Sequence, residues 1–387
     1  MTGAAFVPTP DQREFRDVVR ALCADKVEPN AEAADRTGRF PQASWQALAD
    51  AGICGVALPA EHGGGAADLT TWSMVVEEVA HACAATAVTL LVHAGAAAAL
   101  ARLGSEAQRR EWLPRAVTGE IVMGYAQSES HAGSDVAAIT TRAERDGDAW
   151  RITGVKSWIT SAGVAAAYLV LARTEAGPGT RGMTMFVVPA DAGGLSVGKY
   201  ESKMGLRGSP TGEIILDGVR AGADAVVGEP GGAFGIAMGF LNRSRPMVGA
   251  QAIGVARAAF EVARDYVAER DAFGRKVADF QGVQFMLADM AIGLETARAM
   301  VRRAAAIVDA GGVDGEPEPA VAAAIAKAHA TDVAMAVTTD AVQLLGGAGY
   351  VTDFAVERHM RDAKVFQIYE GTNQIQRWIV GRRLLGR

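Results

Sequence analysis

Apolar spacing along this 387-residue chain changes twice, and those two changes constrain its fold more than any other feature. Up to residue 120 the spacing is helical. Thr9-Pro10-Asp11-Gln12 starts a helix with Thr as N-cap, Pro at the first position and Gln at the capping-box position. Phe15, Val18, Val19 and Leu22 then recur at i, i+3, i+4 and i+7, which predicts one apolar face. A second helix carries Trp45 and Leu48 and stops at Gly52, and residues 68–103 read as one or two long buried helices. Ser105-Glu106-Ala107-Gln108 is a further capping box, opening a short helix expected to end near Pro114. From 121 to 225 the apolar runs become short, β-branched and bounded by Gly and Pro. Residues 150–153 follow the turn signal Asp146-Gly147-Asp148, a hairpin pattern, and 168–172, 183–188 and 213–216 read as strands. Residues 228–232 serve as a linker, and helical spacing then returns in four stretches, 234–270, 281–309, 319–345 and 372–385, read as antiparallel helices.

The expectation is an α+β multidomain chain: an N-terminal helical domain (1–120), a central β-barrel or sandwich-like domain (121–232) and a C-terminal four-helix bundle (233–387). Helices and strands kept in separate runs point away from a parallel α/β sheet. The glycine clusters at 63–65, 231–235 and 346–349 lack GxGxxG spacing behind a strand, which disfavours a Rossmann fold.

Charge and composition exclude several function classes. A net charge of −6 argues against nucleic acid as the main partner, because phosphate binding calls for a basic face. Residues 80–103 come nearest to a membrane span, but His81, Thr86, Thr89, His93 and Arg102 interrupt them, so a core helix is expected and no membrane partner. The first ten residues lack a basic region followed by a long apolar core, and a cytoplasmic protein is expected. Cys23, Cys54 and Cys83 are far apart with no CxxC or Cys/His cluster, which predicts buried reduced thiols and no metal site.

Six short segments carry chemistry. Near the C-terminus, Ile368-Tyr369-Glu370-Gly371-Thr372-Asn373-Gln374 places a carboxylate between an aromatic ring and a glycine. Glu370 can act there as a general base, Gly371 lets a ligand approach the backbone, and the polar Thr372 to Gln374 run can hold a polar cofactor. The segment from Tyr125 through Gln127, Ser128 and Ser134 to Asp135 combines hydroxyls with a small-residue turn, whose N–H groups suit a ring edge or a phosphate. Lys156-Ser157-Trp158-Ile159-Thr160-Ser161 offers an indole for stacking and a hydroxyl two residues on. Asn242-Arg243-Ser244-Arg245-Pro246 brings a guanidinium suited to phosphoryl oxygens. Arg270-Asp271-Ala272-Phe273-Gly274-Arg275 runs on to Phe280-Gln281-Gly282-Val283-Gln284. The last segment is Gln343-Leu344-Leu345-Gly346-Gly347-Ala348-Gly349-Tyr350.

In their order along the chain the segments resemble those of the acyl-CoA dehydrogenases, flavoenzymes that desaturate acyl thioesters between Cα and Cβ. The resemblance covers essentially the whole chain. It implies FAD as cofactor, with the backbone of Tyr125 and Gln127 along the flavin ring and the Ser128 hydroxyl on it. Ser134 would lie near the pyrophosphate and the thioester ligand, Trp158 over one face, and Thr160 near N5. It further implies that Arg270 binds the FAD pyrophosphate, that Phe273, Phe280 and Gln281 pack the dinucleotide, and that Thr372 and Gln374 contribute to the cofactor site. Gln343, Gly346 and Gly347 would reach the FAD of a neighbouring subunit, so a homo-oligomer, dimer or tetramer, is expected. Glu370 becomes the α-proton base, with Tyr369, Gly371, Asn242, Arg245 and Ser134 at the substrate. Burial beside Tyr369 is expected to raise the carboxyl pKa. Residues 88–100 would line the acyl tail, and 205–209 resemble short-chain and branched-chain members. By the same analogy electrons leave to an electron-transfer flavoprotein.

The chain departs from the family pattern at Ser130 and His131, where Pro-Gly is usual, at Gln127, where an aliphatic residue is common, and at Asn242, where Asp is typical. His131 reads either as a phosphate contact or as a solvent-exposed loop residue. These departures leave open an acyl group on acyl carrier protein rather than CoA. A flavin oxidase or monooxygenase on the same fold, and an inactive binding scaffold, are the other readings.

Overall fold

The computed structural model describes residues 7–174 and 179–386; the start of the chain, on which the reading of no leader rests, lies partly outside them. Six helices come first: α1 (Pro10–Leu22), α2 (Ala31–Thr37), α3 (Gln42–Asp50), α4 (Leu69–Ala82), α5 (Ala84–Leu103) and α6 (Glu106–Val117). Both capping boxes form, at Thr9/Gln12 and Ser105/Gln108. Two local expectations fail. Val18 is 61% exposed, so the buried stripe of α1 is narrower than its spacing suggests. Pro114 sits inside α6, which runs on to Val117, because a proline costs the helix one N–H without ending it when packing holds the next turn. In that turn Ala116 and Val117 are buried. Cys83, in an extended conformation, divides 68–103 into α4 and α5.

The β region holds β1 (Met123–Ala126), β2 (Arg142–Asp146), β3 (Ala149–Thr160), β4 (Ala167–Arg173), β5 (Met183–Pro189), β6 (Leu195–Tyr200), β7 (Thr211–Ala221) and β8 (Val226–Val227). They form a mixed sheet in the order β6-β7-β3-β2-β4-β5-β8, with β1 parallel to β4. Its two antiparallel blocks meet at one residue pair, Arg142↔Arg173. The β2–β3 hairpin closes over Gly147 and Asp148, as the turn signal predicts, and Gly147 takes the positive φ of 65° that the turn requires. Strand β4 is buried on both faces: Tyr168, Val170 and Ala172 enter one core, Leu169 and Leu171 the other. That explains its unbroken apolar sequence.

The C-terminal region contains α7 (Ala233–Glu269), a small hairpin of β9 (Asp271–Ala272) and β10 (Arg275–Lys276), then α8 (Gln281–Asp309), α9 (Pro319–Leu345), α10 (Val356–Phe366) and α11 (Asn373–Leu384). Helix α10 is absent from the sequence expectation. Two polar residues, His359 and Asp362, are buried along with Val356, Ala363 and Phe366, which breaks the apolar pattern. Asp362 accepts a hydrogen bond from the Leu206 N–H at 2.6 Å and so ties the β region to the bundle. Among the described residues two helical stretches, Ala84–Leu103 and Pro319–Tyr350, are long and apolar enough to cross a membrane; the first is largely buried in the protein core. All three cysteines are buried and free.

Candidate active site

The base segment is a tight turn between α10 and α11. Glu370 takes a φ of 55° and Gly371 a φ of 90°. A non-glycine residue in that region is uncommon and needs support from its surroundings. Support comes from three helices. Ser244 on α7 donates its hydroxyl to Glu370 Oε2. Arg245, only 4% exposed, lies beneath the turn with one terminal nitrogen donating to Asn242 Oδ1 at 3.2 Å. On α9, Lys327 is fully buried and its Nζ donates to Gly371 O and to Asn373 Oδ1, both at 2.9 Å. Gln376 on α11 donates to Gly371 O at 2.9 Å. The turn ends in a helix cap, with Thr372 Oγ1 accepting from the Ile375 N–H at 3.3 Å.

The electrostatics favour a carboxyl poised above its ordinary range. Burial raises the Glu370 pKa, opposed by the Ser244 hydrogen bond and by the charges of Arg245 and Lys327. The direction matches the sequence expectation. Burial in turn pushes Lys327 down to about 7, against the pull of Glu370 and Asp332. Among the described residues the Glu370 N–H donates to no protein acceptor. Arg245 Nε and Gln376 Oε1 are likewise buried without partners.

Aromatic residues wall the turn. Tyr369 donates its hydroxyl to Gln251 Oε1, and Gln251 Nε2 donates to Ala84 O at 3.0 Å, which fixes the ring against the start of α5. Tyr125 stacks on Phe240 at 4.4 Å with planes 6° apart, and donates to Gln127 Oε1 at 2.8 Å. Glu370 is close enough to Tyr125 to push its phenol pKa up, after the larger effect of burial. Phe240 and Ser244 stand one turn apart on α7, so this aromatic pair and the carboxylate contact share a helix face.

A second group presents Trp158 and Ser128. Strand β3 bulges between Lys156 and Ile159, and there Trp158 takes a φ of 57° and leaves its indole 51% exposed. An exposed aromatic held in a strained backbone is an unusual use of a bulge, one that re-aims a side chain. Beneath it, Lys156 and Glu129 form a buried ion pair at 2.9 Å. Glu129 also accepts from the Thr140 and Thr141 N–H groups, and its carboxyl is held down to about 2 despite burial, chiefly by the Lys156 charge. Lys156 donates to Gln127 O, and the Ser157 N–H to Ser128 O, so the Ser128 turn is fastened to the strand bearing Trp158 and Thr160. Ser134 is exposed at the end of this loop. His131 is exposed too, 3.6 Å from Glu129 and 3.2 Å from Ala138 O.

Other expected site residues lie elsewhere. Arg270 follows α7 and is 25 positions beyond Arg245, about 37 Å along a helix axis. Gln343 is 16 positions beyond Lys327 on α9, about 24 Å. These two stretches meet at the far end of the bundle, where Tyr266 packs edge-on against Phe354 at 5.4 Å. Arg270, Gln281, Gln343, Gly346 and Gly347 are exposed there, and Phe273 is 96% exposed with its ring 6.1 Å from that of Phe280. Gln374 is exposed on the outer side of α11. Arg245, expected at a phosphate or pantetheine, is buried near enough to Glu370 for the two charges to interact.

Sequence reasoning assigned no role to Ser244, Lys327, Gln376, Glu129 or Lys156, and read Asn373 only as part of a polar run for a cofactor. One signal for Lys327 was present: a lysine set among alanines in a helix apolar on every side needs a partner.

Three profiles described as the N-terminal, middle and C-terminal domains of acyl-CoA dehydrogenase match residues 9–120, 124–219 and 231–385. The chain is 45% identical to a probable acyl-CoA dehydrogenase, FadE25, of Mycobacterium tuberculosis, over 96% of this chain and 95% of that protein. Its fold matches that of butyryl-CoA dehydrogenase from Megasphaera elsdenii with a TM-score of 0.93 at 36% identity, covering 98% and 99% of the two chains. A chain from a study of the electron transferring flavoprotein of Acidaminococcus fermentans matches with a TM-score of 0.94 at 37% identity, over 98% and 99%.

Proposed function

The chain belongs to the acyl-CoA dehydrogenase family, and as an oxidoreductase of that family we propose that it desaturates a short or branched acyl-CoA, with Glu370 as the α-proton base. One observation carries the assignment. In a single turn, residue 370 offers a half-buried carboxylate whose pKa is raised and a backbone N–H that, among the described residues, donates to no protein acceptor.

Glu370 takes the proton from Cα, a step to which a positioned base contributes ~10²–10⁴-fold. Negative charge then grows on the thioester oxygen, and a donor already aimed there stabilises it without reorganising. The Glu370 N–H is that donor. Its orientation follows from the positive φ of residue 370, held by the contacts of Ser244, Lys327 and Gln376. The Tyr125–Phe240 pair and Tyr369 stand beside the carboxylate and narrow the space for an acyl group, which favours a short one.

FAD is the cofactor this reading requires, and when bound it supplies the acceptor for the hydride leaving Cβ. The residues fit a flavin: a half-exposed indole on a strained bulge, with the hydroxyls of Ser128 and Thr160 on backbone fastened by the Lys156–Glu129 pair. Arg270, Phe273, Phe280, Gln281, Gln343, Gly346 and Gly347 lie too far along the bundle to serve the same site, so they complete the FAD site of a neighbouring subunit. Nearly bare Phe273 and Tyr350 on that surface support an oligomer, since single large aromatics are buried by a partner. Electron-transfer flavoprotein is the proposed electron acceptor.

Asn242, whose side chain accepts from Arg245, is committed inward and favours one alternative, an acyl group on carrier protein. Steady-state turnover of butyryl-CoA against butyryl-acyl carrier protein, with electron-transfer flavoprotein as acceptor, decides between them. Preference for CoA and little hydrogen peroxide in air is expected. Preference for the carrier protein, or stoichiometric peroxide, would replace this reading by the carrier-linked or the oxidase one.

A further inference from the structure

We infer that Lys327 is a positioning residue for the proton-abstraction step, a cationic strut that holds the Glu370–Gly371 turn by its carbonyl side. The inference rests on the assignment of Glu370 as base and goes beyond it to the group that sets the base's geometry and charge.

Lys327 stands in the middle of α9, flanked by Ala326 and Ala328, and is fully buried. Burying an ammonium is costly unless each proton finds an acceptor. Two acceptors belong to the base turn itself: Gly371 O and Asn373 Oδ1, each 2.9 Å from Nζ. Asn373 is held in turn by three neighbours on α9, with Nδ2 donating to Thr331 Oγ1 and Asp332 Oδ1 at 2.8 Å and to Ala328 O at 3.4 Å. Its backbone N–H closes the turn onto Gln367 O at 2.9 Å. The turn is therefore anchored through its carbonyl oxygens, by Lys327 and Gln376. The carboxylate itself is met by Ser244 on α7. Without the Lys327 anchor, residue 370 loses much of the support that holds its left-handed conformation.

The charge of Lys327 acts as well as its hydrogen bonds. The charged and titratable groups facing the turn are Glu370 itself and its neighbour Tyr369, Arg245 from α7, Lys327 and Asp332 from α9, and Tyr125 from β1. Asp332 is already paired with Arg377. Among the described residues, Lys327 and Arg245 are thus the two cations whose charge opposes the rise of the base's pKa, and of the two only Lys327 also bonds the turn.

Lys327→Met and Lys327→Arg, purified as FAD-loaded protein, are compared with wild type in three readings: hydrogen exchange of backbone amides in 366–376, the rate of flavin reduction by butyryl-CoA without oxygen, and the pH dependence of that rate. Lys327→Met is expected to speed exchange in this segment and to slow reduction by about tenfold or more, with the inflection moved up by about one pH unit, the scale of one lost neighbouring cation. Lys327→Arg restores the inflection and part of the rate. Exchange and pH profile unchanged in Lys327→Met overturn the inference. Should Lys327→Met fail to retain FAD, Asn373→Ala, which removes one of the two acceptors, is expected to speed exchange in the same segment, and unchanged exchange there overturns it equally. Wild-type flavin that butyryl-CoA does not reduce refutes the functional reading, while the exchange measurement still decides the role of Lys327.

Discussion

At the scale of the residue, Glu370 was legible and its support was not. A carboxylate between Tyr369 and Gly371 stands out in a sequence, whereas Ser244 reaches it from 126 positions away and Lys327 reaches the turn from 44 positions away. Local pattern cannot pair residues so far apart. Trp158 was legible as an aromatic for stacking, but the bulge that turns it outward was not, because regular alternation reads as a regular strand. The Ser244 hydrogen bond lowers a carboxyl that burial raises, so its removal must raise the Glu370 pKa further. Ser244→Ala is therefore expected to move the inflection of flavin reduction by acyl-CoA to higher pH, losing rate most on the acid side. A profile unmoved or displaced to lower pH would show that this contact does not persist in the substrate complex.

At the scale of the element, the capping boxes placed the starts of α1 and α6, while α10, stabilised partly by buried polar groups, was missed. Helix α10 was missed because His359 and Asp362 point inward. His93 shows the same device within α5. Its Nε2 lies 3.1 Å from Ala116 O on α6, and its Nδ1 accepts from the Met123 N–H of β1 at 3.1 Å. This geometry requires the neutral ring protonated on Nε2, and burial holds its pKa down to about 4. Unfolded, the ring titrates near 6.5, so between about 6.5 and 4 the unfolded chain binds a proton that the folded one refuses. The stability from this group is full above the unfolded value and is lost as pH falls toward the folded one, up to ~1.4 kcal/mol per pH unit. Denaturant melts from pH 7 to 4 are expected to show that loss, and a His93→Gln variant a shallower slope. An equal slope in the variant would remove His93 from the account.

At the scale of the whole molecule, the order helix, strand, helix could be read directly from the period of the apolar residues, and the family resemblance supplied the site. What the sequence left open was that its site motifs fall into two groups at opposite reaches of the bundle, a consequence of the 37-residue length of α7. An FAD site shared between subunits predicts complementation. Arg270→Ala is expected to lose FAD as a homo-oligomer, while mixed oligomers with Glu370→Gln regain activity, since some sites then combine an intact Glu370 with an intact Arg270. No activity in any mixture would place both residues in one subunit's site. The central claim, that this chain draws the α-proton of an acyl-CoA with Glu370, is tested most directly by anaerobic titration of FAD-loaded wild type and Glu370→Gln with butyryl-CoA. The account predicts bleaching of the flavin band in wild type and none on the same timescale in the variant, with equal FAD content. Bleaching at comparable rates in both would contradict it.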